Sequence, residues 1–294
     1  MAYTSPFKLL PFLDFKSLDL EKINYTQLRR KLLAEFELND DQPLEVDNKT
    51  IGKTEALNVL EQLKDPLVLN QHIEIEKNTS LKVFLSEGGM SFFNQRENFD
   101  LPLPEVIQED FVDQLNVLIN ELYKVSSYAN LGLVMTYPLD NKITVLLDKH
   151  PYERFYRRVR SDLAELTEIE RISSSREQLT ALKRATSIFT IKKAKCINLL
   201  PFDFKYLIEG IAIAAINVSS NVYNETKNVK HTLHFCRFVI SLDISQEQKN
   251  IAINNHKIIG GKGSSKSGSG ASIGGIFFIA IVVIKLLLVM GKCS

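Results

Sequence analysis

Two histidines and a cysteine, His231-x-x-His234-x-Cys236, have a spacing that places both imidazoles on one helix face at i and i+3, which is how many zinc sites begin. A closed site needs at least one further ligand. His72, His150 and His256 have no spacing that supplies it, so the reading is helix packing, with no metal and no cofactor. The stretch Ile51-Gly52-Lys53-Thr54 ends like a phosphate-cradling loop. Such a loop requires glycine five residues before Gly52, where the backbone approaches the phosphates, and that place holds Asp47, which would repel them. The stretch therefore reads as a turn glycine followed by a helix cap at Thr54. No serine or cysteine pairs with a defensible base, and no nucleophile elbow or zinc-protease signature is present. Asp162, Glu165 and Glu168 recur at helical spacing on a segment rich in arginine and read as solvated ion pairs. No catalytic residue is nominated.

The strongest surface candidate is Pro151–Asp162, PYERFYRRVRSD. Here Arg154, Arg157, Arg158 and Arg160 interleave with Tyr152, Phe155 and Tyr156. Arginines beside stacking rings grip nucleic acid, and a basic face also meets anionic lipid headgroups. The simplest reading is an amphipathic helix with its aromatics in the core and its arginines wet or paired with acids. Arg154, Arg157, Arg158, Arg160, Tyr152 and Tyr156 are the candidate anion- or partner-binding residues, with nucleic acid the least favoured ligand.

The tail can also do physical work. From Ile276 to Met290 twelve of the residues are Ile, Leu, Val or Phe, with Lys285 among them. Each such side chain favours bilayer insertion by roughly 0.3–0.6 kcal/mol, against about 3 kcal/mol for one central lysine, so insertion wins by the sum. Lys285 lies near enough to the end of the run for its ammonium to snorkel to the headgroups. Ile276, Phe277, Phe278, Lys285 and Leu287 are the anchor residues of an expected transmembrane helix over 272–291. Upstream, 260–271 reads as a Gly/Ser linker, GGKGSSKSGSGA. Lys257, Lys262 and Lys266 precede the span and Lys292 follows it, so the positive-inside bias predicts a single-pass, tail-anchored membrane topology with the N-terminal body in the cytoplasm.

The rest of the chain must position these features. Its 294 residues, 45% hydrophobic and 24% charged, describe a folded protein rather than a disordered one. The net charge of +1 is unevenly spread: 12 basic and 21 acidic residues over 1–113, 3 and 3 over 114–150, 11 and 6 over 151–195, and 10 and 5 over 196–294. The expectation is an acidic, mostly helical region over 1–150 and a basic helical region over 151–259. Cys196, Cys236 and Cys293 are too few and scattered for a disulfide framework, which points to a reducing compartment. The first residues, MAYTSPFKLLPFLDFK, make a poor signal peptide.

Apolar periodicity predicts a mainly α fold with one or two short β-hairpins. Helices are expected over 17–38, from Thr54 to before Pro66, over 67–76, 80–86, 105–129, 154–172, 176–199, 203–223, 229–242 and 246–258. Short strands are expected at Leu44–Val46 and Thr50–Ile51, and a second hairpin over Leu131–Leu147. The stretch Ile213–Asn255 resembles a degenerate tetratricopeptide-type helical hairpin. Tyr223 stands where the first helix carries its aromatic, Asn228 and Val229 at the turn, and Leu242-Asp243 at the end of the second helix. It departs from the pattern at Ser220, Thr232 and Ile244, where glycine, alanine and proline are usual. The resemblance implies a protein-binding scaffold and no particular ligand.

These readings converge on a non-catalytic, membrane-tethered helical adaptor that binds a lipid bilayer through its C-terminal helix and a protein partner through its body. The alternative is a membrane-associated enzyme or nucleic-acid-binding effector using the basic-aromatic face at 151–195.

Overall fold

The computed structural model describes residues 5–9, 24–46, 49–94, 103–137, 152–172 and 175–262. Among these the fold is mainly α-helical, with one two-stranded antiparallel sheet. No helix among the described residues is long and apolar enough to cross a membrane. The expected transmembrane segment and its anchor residues, Ile276, Phe277, Phe278, Lys285 and Leu287, lie outside the described residues. The chain divides into two compact units, one of 1–118 with 136–151 and one of 119–135 with 152–294.

Unit 1 begins with the short helix α1 (Pro6–Leu9) and with α2 (Tyr25–Leu38), whose N-cap Asn24 accepts a hydrogen bond from the Gln27 amide. Leu28, Leu32 and Phe36 recur at i, i+4 and i+8, forming the stripe that α2 buries. The hairpin β1 (Leu44–Val46) and β2 (Lys49–Ile51) pairs Leu44 with Ile51, and Ile51 enters the same core as the α2 stripe. Helix α3 (Lys53–Gln62) starts one residue before the sequence predicts. Gly52, extended at φ −77°, is its N-cap, and Thr54 lies inside the first turn rather than capping it. Asp65 caps α4 (Pro66–Lys77) by accepting from the Leu67 amide, with Pro66 at the first helical position, where its missing N–H costs nothing. Asn78 caps α5 (Thr79–Glu87), which ends at Gly88 with φ 74°, a left-handed position that glycine fills without strain. Phe92 and Phe93 of α6 (Ser91–Asn94) meet Phe84 and Tyr137 in an aromatic cluster completed by Phe111 of α7 (Gln108–Lys124).

The helix expected over 105–129 is three pieces. A 3-10 turn at Glu105–Ile107 leads into α7, and α8 (Tyr128–Met135) follows a break in which Ser126 adopts φ 54°. The second expected hairpin is corrected in its first arm. Leu131–Met135 is helical, because Leu131 and Val134 form an i, i+3 buried pair that outweighs the strand propensity of the run. The remainder of that expected hairpin, 138–147, lies outside the described residues.

Unit 2 holds the end of α7, then α8, α9 (Glu153–Arg171), α10 (Ser175–Ile188), α11 (Ile191–Ile197), α12 (Lys205–Thr226), α13 (Val229–Ile240) and α14 (Gln246–Lys262). The helix expected over 176–199 is interrupted at Phe189–Thr190, where Thr190 turns extended and caps α11 by accepting from the Lys193 amide. Helices α9 and α12 run side by side in the same direction. Arg160 meets Tyr206, Leu163 meets Gly210, and Asn217 donates to Glu170. A Cβ at Gly210 would lie 3.1 Å from Leu163 Cδ2, so the glycine lets these two helices approach. Helix α12 turns at Lys227, left-handed at φ 54°, into α13, whose N-cap Asn228 accepts from His231. This is where the tetratricopeptide resemblance predicts the turn, and Ser220 and Thr232, its two small-residue departures, are both buried. Helix α14 packs antiparallel to α13: Arg237 donates to His256, and Gly260 sits against Leu233. Gly260, Gly261 and Lys262, expected to open the linker, are instead the last residues of α14.

Candidate functional site

Helix α9 carries the predicted basic-aromatic face. Its apolar stripe, Phe155, Val159, Leu166 and Ile169, is buried at helical spacing. Arg154, Arg157, Arg158 and Arg160 project on the exposed side. Arg157 pairs with Glu153 one turn earlier, Arg158 Nε lies 3.5 Å from Asp162 Oδ1, and Arg160 donates to the Tyr206 hydroxyl at 3.0 Å. The guanidinium groups are thus turned to different partners rather than converging on one ligand. Tyr152 is half-buried, with its ring 6.3 Å from that of Tyr156. Tyr156 is 4% exposed and stacks on Phe204 with centroids 3.6 Å apart, so its faces are used within the core. Burial also pushes its phenol pKa well above the ordinary value, with Tyr152 and Asp203 adding to the shift.

One residue of this helix departs from the reading made of it. Asp162 is not solvated. It is 1% exposed, on the same stripe as Val159 and Leu166. The Tyr123 hydroxyl at the end of α7 donates to Asp162 Oδ2 at 2.6 Å, and Lys193 Nζ of α11 stands 3.8 Å from the same oxygen. Lys193 also donates to the Tyr123 carbonyl at 2.9 Å, its ammonium 3.3 Å from the centroid of the Tyr123 ring. Burial drives the Tyr123 pKa upward, reinforced by Asp162, and drives the Lys193 pKa downward, opposed by Asp162. Clustered titratable groups with such shifts mark a functional site when they border a cleft. Here Tyr123 is 0%, Asp162 1% and Lys193 3% exposed, so no substrate reaches them, and the cluster instead joins α7, α9 and α11. Their separations, 39 and 70 residues, hide the cluster from motif spacing, but a carboxylate on the apolar stripe of α9 was a legible sign that Asp162 would need a buried partner.

The histidine–cysteine spacing does not assemble a site. His234 Nε2 lies 2.9 Å from the Phe189 carbonyl, and Cys236 is 2% exposed with its thiol pushed up to about 11 by burial. Burial lowers the His231 pKa, with Lys230, His234 and Lys183 lowering it further. Among the described residues no group of three or more His, Cys, Asp or Glu could hold a metal ion. Lys53, from the phosphate-loop-like stretch, pairs with Asp41 at 2.8 Å. Between the second half of α9 and the start of α10 lies an open groove of about 710 Å³ whose rim carries Glu165, Glu168 and Glu177, with Arg184 bound to Glu165. At the other end of α9, Phe202 is 81% and Tyr206 54% exposed, and the Lys205 ammonium lies 5.6 Å from the Phe202 ring.

No protein-family model matches the chain, and neither does any curated protein or solved structure.

Proposed function

We propose that this protein is a non-catalytic, membrane-tethered helical adaptor whose body faces the cytoplasm and binds a protein partner. The observation that carries the reading is the composition of the tail. An apolar run over 276–290 follows a Gly/Ser-rich stretch immediately after α14, and hydrocarbon outcompetes water for that run by about 1–4 kcal/mol. A tether of that composition keeps the body close to the bilayer at high effective concentration while leaving its orientation free. The exposed rings of Phe202 and Tyr206, with Arg160 and Lys205 beside them, have the aromatic-plus-arginine character of protein-binding hot spots.

Deleting Ser272–Ser294 tests the tether. The truncated chain is expected in the soluble fraction with unchanged helical circular dichroism, while the full chain stays in carbonate-washed membranes. Retention of the truncated chain in those membranes rules the anchor out. Proteins that copurify with the full chain and are lost from a Phe202→Ala/Tyr206→Ala variant would be the partners; an identical set from both chains removes this patch from the proposal.

A further inference from the structure

The path of unit 2 fixes the point at which its last described helix ends. Helix α12, 22 residues and about 33 Å long, runs from the Phe202 end to the turn at Lys227. Helix α13 returns, and α14 comes back antiparallel to it, with Gly260 against Leu233. Lys262 therefore ends α14 beside the first turn of α13, at the end of the unit opposite Phe202. Residues 263–271 let Ser272 lie up to about 33–36 Å from Lys262, about the length of α12. An anchor beginning at Ser272 is thus joined to unit 2 beside the α12–α13 turn, the part of α12 with the shortest path along the chain to the bilayer.

That end is basic. Lys227 and Lys230 are exposed at the turn, Lys257 is exposed one turn before the end of α14, and Lys183 of α10 lies close enough to His231 to lower its pKa together with Lys230. Glu225 is an exposed acid beside them, and Glu168 and Glu177 are exposed on the groove between α9 and α10. Lys227 occupies a left-handed backbone position that glycine or asparagine ordinarily fills, so a cation is kept at the tip of the turn despite local strain. Its ammonium lies 5.2 Å from the Tyr223 ring.

We propose that this end of unit 2 is the surface that rests on anionic lipid headgroups, through Lys227, Lys230 and Lys257 with Lys183 alongside. The assignment rests on the anchor reading and adds the orientation of unit 2 to it. Each lysine held near an anionic surface favours the docked state by about five-fold, so the three together give a preference on the order of a hundred-fold.

The chain contains no tryptophan, so a single introduced one reports its own surroundings. Full-length Asn224→Trp, at an exposed position just before the turn, is reconstituted in phosphatidylcholine vesicles with and without phosphatidylserine, using lipids brominated near the headgroup. The expected result is a blue shift and quenching on the anionic vesicles alone, both abolished in a background of Lys227→Gln, Lys230→Gln and Lys257→Gln. Full-length Phe202→Trp, at the far end of α12, is expected to emit as in water on every vesicle. Unquenched Asn224→Trp on anionic vesicles, or equal quenching of Phe202→Trp, overturns the proposal. A separate Phe278→Trp chain reads the tail itself. If that reporter remains in water the anchor falls, whereas if it is buried while Asn224→Trp is not, the anchor stands and the docking surface falls.

Discussion

The Tyr123 hydroxyl donates a 2.6 Å hydrogen bond to Asp162, and neither side chain is more than 1% exposed. A carboxylate so placed is tolerable only while its partners stay, and the Lys193 ammonium 3.8 Å away is in the same position. Asp162→Ala leaves that ammonium buried without its counter-charge and is expected to cost about 3–5 kcal/mol in urea unfolding. Tyr123→Phe, which removes one hydrogen bond to a charged group, should cost about 1.5–3 kcal/mol. The pair Asp162→Leu with Lys193→Met removes both charges and should recover most of the loss. If the double variant is as unstable as the sum of its singles, the two charges are not coupled and this account of the cluster is wrong.

His72 gives unit 1 a pH dependence. It is 9% exposed on α4, and burial holds its pKa down to about 4 against the raising effect of Glu76. The unfolded imidazole titrates near 6.5, so between those two values the unfolded chain binds the proton and the folded chain does not. Stability is therefore unaffected above about pH 6.5, falls as the pH drops toward 4, and by then has lost about 3 kcal/mol through this group. Urea midpoints over this range should fall more steeply for the wild type than for His72→Leu. Parallel curves for the two chains would show that His72 titrates normally.

Phe84 is the hub of the aromatic cluster, with ring centroids 5.6 Å from Phe92, 5.2 Å from Phe93 and 5.0 Å from Phe111. It is fully buried, so Phe84→Ala opens a cavity and is expected to cost about 3–5 kcal/mol, while Phe84→Leu, which keeps most of the volume but loses the ring geometry, should cost about 1–2 kcal/mol. Thermal unfolding of the two variants separates volume from ring contact by that difference.

What the sequence made legible and what it did not follow from range. Helices α2, α4, α5, α9, α12, α13 and α14 have ends within a few residues of those expected where both ends are described, apart from the start of α2, because their caps and apolar stripes are local signals. The breaks at Ser126 and at Phe189–Thr190 were missed because the apolar pattern continues through them, and tertiary packing places the interruptions. Leu131–Met135 looked like strand because Val134, Thr136 and Tyr137 make the end of the run β-prone, yet two buried side chains at i, i+3 decided for helix. Of the candidate site, the arginines were correctly placed outside and Phe155 inside. The partner that covers Tyr156, Phe204, lies outside its own helix, and although the place of Asp162 on the apolar stripe announced a buried partner, Tyr123 and Lys193 meet it only once the chain is folded.

The three cysteines turn the proposed topology into a labelling experiment. Cys196 and Cys236 are 0% and 2% exposed, and burial raises both thiol pKa values, so in the folded chain neither presents a thiolate to a maleimide. Cys293 follows the apolar run, and a helix inserted over 272–291 carries it across the bilayer. Full-length protein in sealed vesicles with its body outside should therefore take up almost no membrane-impermeant maleimide. Mild detergent should admit about one label per chain, and denaturant about three. Labelling of Cys293 in intact vesicles, confirmed by its loss in Cys293→Ser, would place the end of the chain on the same side as the body and show that the tail does not cross.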